Sequence, residues 1–194
     1  MDSFIFYIKL GFDHISDFAG YDHMLFLVAL CAIYKIQQWK NILILVTAFT
    51  VGHSITLLLS SLDIFTIPSS IIEFLIPVTI FLTAINNVIG SNPVNNKPQM
   101  NKNYVMALFF GFVHGMGFSN YFKALLMDSS SILMPLFGFN IGIEIGQILV
   151  VFFIVSLGYF FLNKCNVKHR DWNVFISGIA AGISLIFIVE NKIW

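Results

Sequence analysis

The residue types in this chain that could do chemistry are histidines and carboxylates placed within strongly apolar segments. They occur as the pair Asp22-His23, as His53 and His114 beside glycines, and as Glu144. An ionisable group at bilayer depth costs roughly 2.5 to 3.5 kcal/mol on insertion scales, so such residues indicate function. Neutral imidazole nitrogen with carboxylate oxygen is the ligand mix of transition-metal sites, whereas Ca and Mg prefer oxygen. The sequence therefore predicts an intramembrane site for a divalent transition metal.

Further residues extend this predicted site, and two of them have a second interpretation. His14 lies near Asp13 and Asp17 and is either a metal ligand or a solvated surface residue. Asp22 is either a metal ligand or a helix-capping residue, since an acid in the first turn stabilises a helix. Capping would not explain the adjacent His23. Three polar residues are predicted to hold the ligands from a second layer. These are Ser54, Asn140 and Gln147.

Composition indicates the class of protein that must position these groups. Hydrophobic residues make up 58% of the 194, charged residues only 10%, and 22 residues are Phe. So little polar side chain cannot cover a soluble globule of this length, which indicates an integral membrane protein. The formal net charge is zero, so no basic field is present to attract nucleic acid. The expected partners are the metal ion, the lipid bilayer and either a membrane protein or a second copy of the chain.

Hydropathy predicts an all-α membrane protein, a bundle of about six transmembrane helices in one domain over residues 1–194. Three spans precede a polar loop at about 90–103 and three follow it. The segment before Asp22 is too short and polar to span, and is expected at the interface or folded over the mouth of the bundle. The predicted spans cover residues 22–36, 41–60, 70–89, 104–127, 133–162 and 172–189.

The positions of the cationic residues predict the orientation of the spans. Lys and Arg fall in the first, third and fifth connections, whereas the second and fourth carry Asp63 and Asp128 without Lys or Arg. By the positive-inside rule the odd connections are cytoplasmic and both termini lie outside. The predicted ligands then fall in the outer half of the bundle.

Helical spacing indicates that these groups can face one another. Residues of span five at about 100° intervals form two opposite faces, one polar and one a ridge of small residues. The polar face is Asn140, Glu144 and Gln147, and the ridge is Gly138, Gly142 and Gly146. In span four, His114 shares a stripe with Gly115 and Phe118, so a neighbouring backbone can approach it closely.

Four segments, in the same order along the chain, resemble motifs of the HupE/UreJ family of bacterial membrane proteins. They are GYDHMLFLVAL at 20–30, VGHSITLLLS at 51–60, FFGFVHGMGFS at 109–119 and FNIGIEIGQILVV at 139–151. The resemblance covers most of the chain and implies an inner-membrane protein that handles nickel or cobalt for hydrogenase and urease, generally as a metal permease. By position it implies six metal-handling residues: His14, Asp22, His23, His53, His114 and Glu144.

The first motif departs from the family pattern. The family usually places a histidine five residues before the Asp-His pair, whereas seven residues separate His14 from Asp22 here. In the nickel/cobalt permeases more broadly four residues separate the histidine from the Asp-His pair, and Asp17 occupies the position of that histidine in this chain.

Three functions are compatible with these residues. A permease would bind Ni²⁺ or Co²⁺ at the outer site and release it inward as one bundle rocks against the other. A Zn²⁺ hydrolase would use Glu144 or Asp22 as general base and Ser54 or Asn140 to polarise a carbonyl, on a lipid, lipid-linked or peptide substrate. A structural subunit would bind no metal. We expect transport, because the resemblance spans the whole chain.

Overall fold

The computed structural model describes residues 2–17, 20–64, 67–90, 100–126 and 131–193, and the regular secondary structure in those ranges is entirely helical. This confirms the predicted all-α membrane fold. The helices are α1 (Asp2–Ser16), α2 (Tyr21–Cys31), α3 (Trp39–Ser61), α4 (Ser69–Ile89), α5 (Met100–Leu125), α6 (Leu133–Asn163) and α7 (His169–Glu190), with a 3₁₀ turn at Ile36–Gln38 before α3.

Five of the helices, α3 to α7, are long and apolar enough to cross a membrane. The predicted first span, 22–36, differs because its helix α2 has only 11 residues. Such a helix is about 16 Å long at 1.5 Å per residue, against a hydrocarbon core of about 30 Å. α2 therefore cannot cross a bilayer alone.

The N-terminal segment, expected at the interface or over the mouth of the bundle, instead forms α1 and packs lengthwise against α6. Glycines permit direct contact between the two backbones, since a Cβ on Gly142 would lie 1.9 Å from the carbonyl oxygen of Ile8. A Cβ on Gly11 would lie 2.0 Å from that of Phe139. The glycine ridge predicted on α6 is thus the docking surface for α1.

α1 and α2 follow one another through the bundle. Phe4 packs against Gly138, near the end of the bundle where α6 begins. The hydroxyl of Tyr34, just after α2, accepts a hydrogen bond from Asn103 Nδ2 at 2.8 Å, at the end where α5 begins. The two short helices together therefore extend from one end of the bundle to the other. A helix broken within the membrane is a common setting for ion sites in transporters.

α3 and α5 form a second pair of closely packed helices. A Cβ on Gly52 of α3 would lie 2.0 Å from the carbonyl oxygen of Leu108, and one on Gly111 of α5 would lie 2.0 Å from that of Phe49. Glycines on both helices therefore fix the distance and the register between them. Each helix carries one of the predicted histidine ligands close to these contacts.

α4 and α7 form a third pair, held by side-chain amides. Pro77 inside α4 has no N–H to give to the carbonyl of Glu73 four residues earlier, and Asn191 Nδ2 donates to that carbonyl at 3.3 Å. Asn173 Nδ2 likewise donates to the backbone carbonyl of Asn87 at 3.0 Å. These contacts satisfy backbone groups that lipid could not.

The predicted loop at about 90–103 falls largely on residues 91–99, which lie outside the described residues. Residues 100–103 belong to the first turn of α5, which begins at Met100. Met127, the predicted end of the fourth span, also lies outside them. The other span boundaries agree with the helices to within a few residues.

Candidate metal site

The structure brings four of the predicted ligands together, one from each of α1, α2, α3 and α5. The ring centroids of His14 and His23 are 4.6 Å apart, those of His14 and His53 5.6 Å, and those of His23 and His53 6.0 Å. His114 lies 5.2 Å from His23. Residues separated by 100 positions in the chain thus form one histidine cluster, defined by these four rings.

The histidine cluster and the adjacent carboxylate of Asp22 contain two groups of ligand atoms with metal-site spacing. One comprises His14, His23 and His53, the other Asp22, His23 and His114, and the ligand atoms of each group lie within 4.8 Å of one another. Ligands on opposite sides of a metal at about 2.1 Å would be about 4.2 Å apart. Small movements of the rings would therefore suffice to coordinate an ion.

The ring nitrogens are free to act as ligands. Among the described residues, five buried nitrogens of the histidine cluster have no hydrogen-bond partner. They are His14 Nε2, His23 Nε2, His53 Nδ1, His53 Nε2 and His114 Nδ1. A buried polar atom without a partner costs about 1 to 3 kcal/mol, so five in one place require an explanation. A bound cation would supply the missing partner.

The carboxylate of Asp22 determines which ring nitrogen of His23 carries the proton. His23 Nδ1 lies 3.1 Å from Asp22 Oδ1, and the backbone N–H of His23 donates to the same oxygen at 2.9 Å. A carboxylate can only accept, so Nδ1 carries the proton and Nε2 presents its lone pair to the cluster. A carboxylate that holds a ligating imidazole in this way is a common second layer of metal sites.

The tautomer of His114 is set by Thr79 of α4, a residue that sequence reasoning missed. Thr79 Oγ1 donates to the carbonyl of Ile76 at 2.7 Å and lies 3.0 Å from His114 Nε2. The hydroxyl proton is already used, so Nε2–H of His114 donates to Thr79 and Nδ1 keeps its lone pair. One threonine among many apolar residues of α4 gives no sequence signal for this contact.

Three of the four rings in the histidine cluster are buried, and aromatic side chains surround the cluster. His53 is 0% exposed, His114 1% and His23 5%. The ring of Phe118 lies 4.1 Å from that of His14, and Phe49 lies 5.2 Å from His114. Such a dry environment strengthens the attraction between a cation and its ligands.

Glu144, predicted as a ligand, lies apart from the histidine cluster. Its Oε1 accepts a hydrogen bond of 2.6 Å from Thr47 Oγ1 of α3, and it belongs to neither group of ligand atoms. The acid therefore faces the contact between α3 and α6, on the same polar face of α6 that helical spacing predicts.

The three residues predicted for the second layer also lie between α3 and α6. Ser54 Oγ donates to Asn140 Oδ1 at 2.6 Å, and Thr50 Oγ1 donates to Gln147 Oε1 at 2.7 Å. None of the hydrogen bonds observed in the described ranges joins them to a histidine ring. With Thr47 and Glu144 they form three side-chain bonds between the helices, which we call the α3/α6 polar contact.

Fold and site together define a polytopic all-α membrane protein whose buried histidines have the spacing of a metal site. The chain belongs to the HupE/UreJ family, since the family model described as HupE / UreJ protein matches residues 1–191. This family is associated with nickel and cobalt transport. No curated protein matches the chain, and no solved structure matches it.

Proposed function

We propose that this protein is a permease for Ni²⁺ or Co²⁺ in the bacterial cytoplasmic membrane and that the histidine cluster binds the ion during transport. The observation that carries the proposal is the convergence of five unpartnered, buried ring nitrogens from four helices. Family membership supports it. Imidazole also suits Zn²⁺, which therefore remains a candidate ion.

The proposed ligands follow from the tautomers. His14 and His23 contribute Nε2, His114 contributes Nδ1, and His53 contributes either nitrogen. Asp22 orients His23 through one oxygen, and its charge offsets that of the dication. His14 comes from the α1/α6 pair, whereas His53 and His114 come from the α3/α5 pair, so relative movement of these two pairs would open or close the site.

The proposed orientation places both termini outside and the histidine cluster in the outer half of the membrane. Lys35, Lys102 and Lys164 support it, because they lie at the end of the bundle where α3 and α5 begin and α6 terminates. Cationic residues favour the cytoplasmic side.

Neutral polar side chains among apolar ones lie between His114 and that cytoplasmic end, and they are the groups that an ion released inward would meet. Thr79, which contacts His114, accepts a hydrogen bond on its backbone carbonyl from Thr83 Oγ1 at 2.9 Å. Thr83 also lines a small, mostly apolar cavity together with Asn86 and Asn103. Hydroxyl and amide oxygens bind a soft-to-borderline transition metal more weakly than imidazole does, which suits release.

The alternative function, Zn²⁺-dependent hydrolysis, needs a carboxylate free to act as base near the metal. Asp22 accepts two hydrogen bonds from His23, and Glu144 accepts one from Thr47. The Ser54 hydroxyl lies 2.6 Å from both Asn140 Oδ1 and the carbonyl of Thr50, so its single proton is already engaged. No observation favours hydrolysis over transport, and it stays a prediction.

Purified protein in proteoliposomes tests the proposal. We expect elemental analysis to find about one Ni²⁺ or Co²⁺ per chain after loading, and radiolabelled ion to enter the vesicles. His53→Ala should abolish both, whereas His169→Ala, at the start of α7 outside both groups of ligand atoms, should change neither. Tight binding of Zn²⁺ without movement of any ion would overturn the permease and favour hydrolysis.

A further inference from the structure

A cleft at the surface leads to His14. Side chains of the last turns of α1, the residue that follows them and one phenylalanine of α5 line it. They are Leu10, Asp13, His14, Ser16, Asp17 and Phe118. Of the four rings in the histidine cluster, His14 is the one that lines this cleft.

The two acids of the cleft are both exposed, and they flank His14 along the chain. Negative charge near a helix C-terminus opposes the helix dipole at a cost of about 0.3 to 1 kcal/mol, and Asp13 and Asp17 lie at the C-terminal end of α1. Both carboxylates place negative charge beside His14, the imidazole that lines the cleft.

The boundary between the cleft and the apolar interior is formed by Phe118. Its ring lies 4.1 Å from that of His14 and stacks on Phe139 at 4.9 Å with an interplanar angle of 4°. His14 Nε2 is buried and has no hydrogen-bond partner in the described structure. An ion in the cleft would therefore meet an unpartnered ligand nitrogen at the edge of these aromatic side chains.

We propose that this cleft is the capture site for the divalent cation: Asp13 and Asp17 attract the hydrated ion, and His14 passes it to His23 and His53. This inference rests on the proposed transport function. A cleft lined by one sign of charge and low-dielectric walls raises the local concentration of counter-ions and speeds association by 10- to 1,000-fold. The attraction is screened by salt, because the carboxylates are exposed.

The test compares the double variant Asp13→Asn/Asp17→Asn with the unmodified protein in proteoliposomes, measuring initial Ni²⁺ uptake against concentration at low and high ionic strength. Glu73→Gln is the matched control, since Glu73 is an exposed acid of α4 outside the cleft. We expect the double variant to need roughly tenfold more Ni²⁺ for half-maximal uptake at low salt. This difference should shrink at high salt, while the maximal rate and the Ni²⁺ content at saturation stay unchanged.

Two outcomes would overturn the capture site while leaving transport intact. One is a double variant whose half-saturation and salt dependence equal those of the unmodified protein. The other is a double variant that binds less than one ion at saturation, which would make the acids ligands rather than attractors. If the unmodified protein neither binds nor moves Ni²⁺, Co²⁺ or Zn²⁺, the proposed function itself fails and the inference fails with it.

Discussion

Gly115 of α5 lies directly against the backbone of His53 on α3, so that a Cβ at residue 115 would come within 2.6 Å of the carbonyl oxygen of His53. The neighbouring residue, His114, belongs to the same cluster as His53. The small residue thus sets the distance between two helices at the level where each presents an imidazole. The dipeptide His114-Gly115 therefore supplies a predicted ligand and also sets the spacing between α3 and α5.

The first prediction concerns this contact. Gly115→Ala should push α3 and α5 apart and move His53 relative to His23, because the atoms nearest the new methyl group are backbone. We expect Ni²⁺ affinity to fall at least tenfold and stability to fall by about 1 to 3 kcal/mol, as is usual for overpacking. Isothermal titration and thermal unfolding in detergent measure the two effects.

The matched control is Gly178→Ala in α7, where an added Cβ would meet nothing within 4 Å. It should bind Ni²⁺ like the unmodified protein. Equal affinities for the two variants would show that the contact of Gly115 with His53 does not determine the geometry of the site.

The second prediction concerns the tautomer of His114. Thr79→Val keeps the shape of the side chain and removes the oxygen that accepts Nε2–H. A lost partner of a ligating histidine typically costs 10- to 100-fold in metal affinity. Thr79→Ser, which keeps the hydroxyl, should retain most of the affinity, so the serine variant separates the hydrogen bond from packing. If both variants bind equally well, Thr79 has no role in orienting His114.

The histidine cluster was predictable from the sequence because its members are rare residue types in apolar spans. Buried histidines need a reason wherever they occur, so residue type alone pointed to His23, His53 and His114. The glycine ridge of α6 was predictable for the same kind of reason, since spacing by four defines a face. The docking of α1 on this ridge was not predictable, because α1 has only 15 residues and is too short to be recognised as a span.

The contacts between helices distant in sequence could not be predicted. Thr79 meets His114 across 35 positions, and Glu144 meets Thr47 across 97. Helical spacing places Glu144 on the polar face of α6 but leaves open whether that face meets the histidines or the threonines of α3. Side-chain length and the crossing of two helices decide this, and neither is visible in a linear pattern.

The third prediction separates binding from movement of the ion at Glu144. Glu144→Gln keeps a hydrogen-bond acceptor for Thr47 but removes the charge. Because Glu144 lies outside both groups of ligand atoms, we expect Ni²⁺ binding at equilibrium to stay within about twofold. Uptake should fall at least tenfold, since Glu144 is the charged member of the α3/α6 polar contact, which must rearrange when the α1/α6 and α3/α5 pairs move.

Equilibrium binding and vesicle uptake must be measured on the same preparation of Glu144→Gln. Thr47→Val is the companion variant, because it breaks the same hydrogen bond while keeping the acid. A loss of binding in the glutamine variant would place Glu144 among the ligands, as the family resemblance implies. Unchanged uptake would show that the charge of Glu144 has no role in transport.

The last prediction concerns the docking of α1, which brings His14 to the histidine cluster. A Cβ on Gly142 would lie 1.9 Å from the carbonyl oxygen of Ile8, so Gly142→Ala should lift α1 from α6. The other three histidines are carried by α2, α3 and α5 and should stay in place. We therefore expect weakened Ni²⁺ binding, equal to that of His14→Ala, rather than its loss.

Gly182→Ala, with nothing within 4 Å of the added Cβ, is the control. Combining Gly142→Ala with His14→Ala should weaken binding no further, because both changes remove the same ligand. Additive losses would mean that α1 supports the site by some contact other than His14.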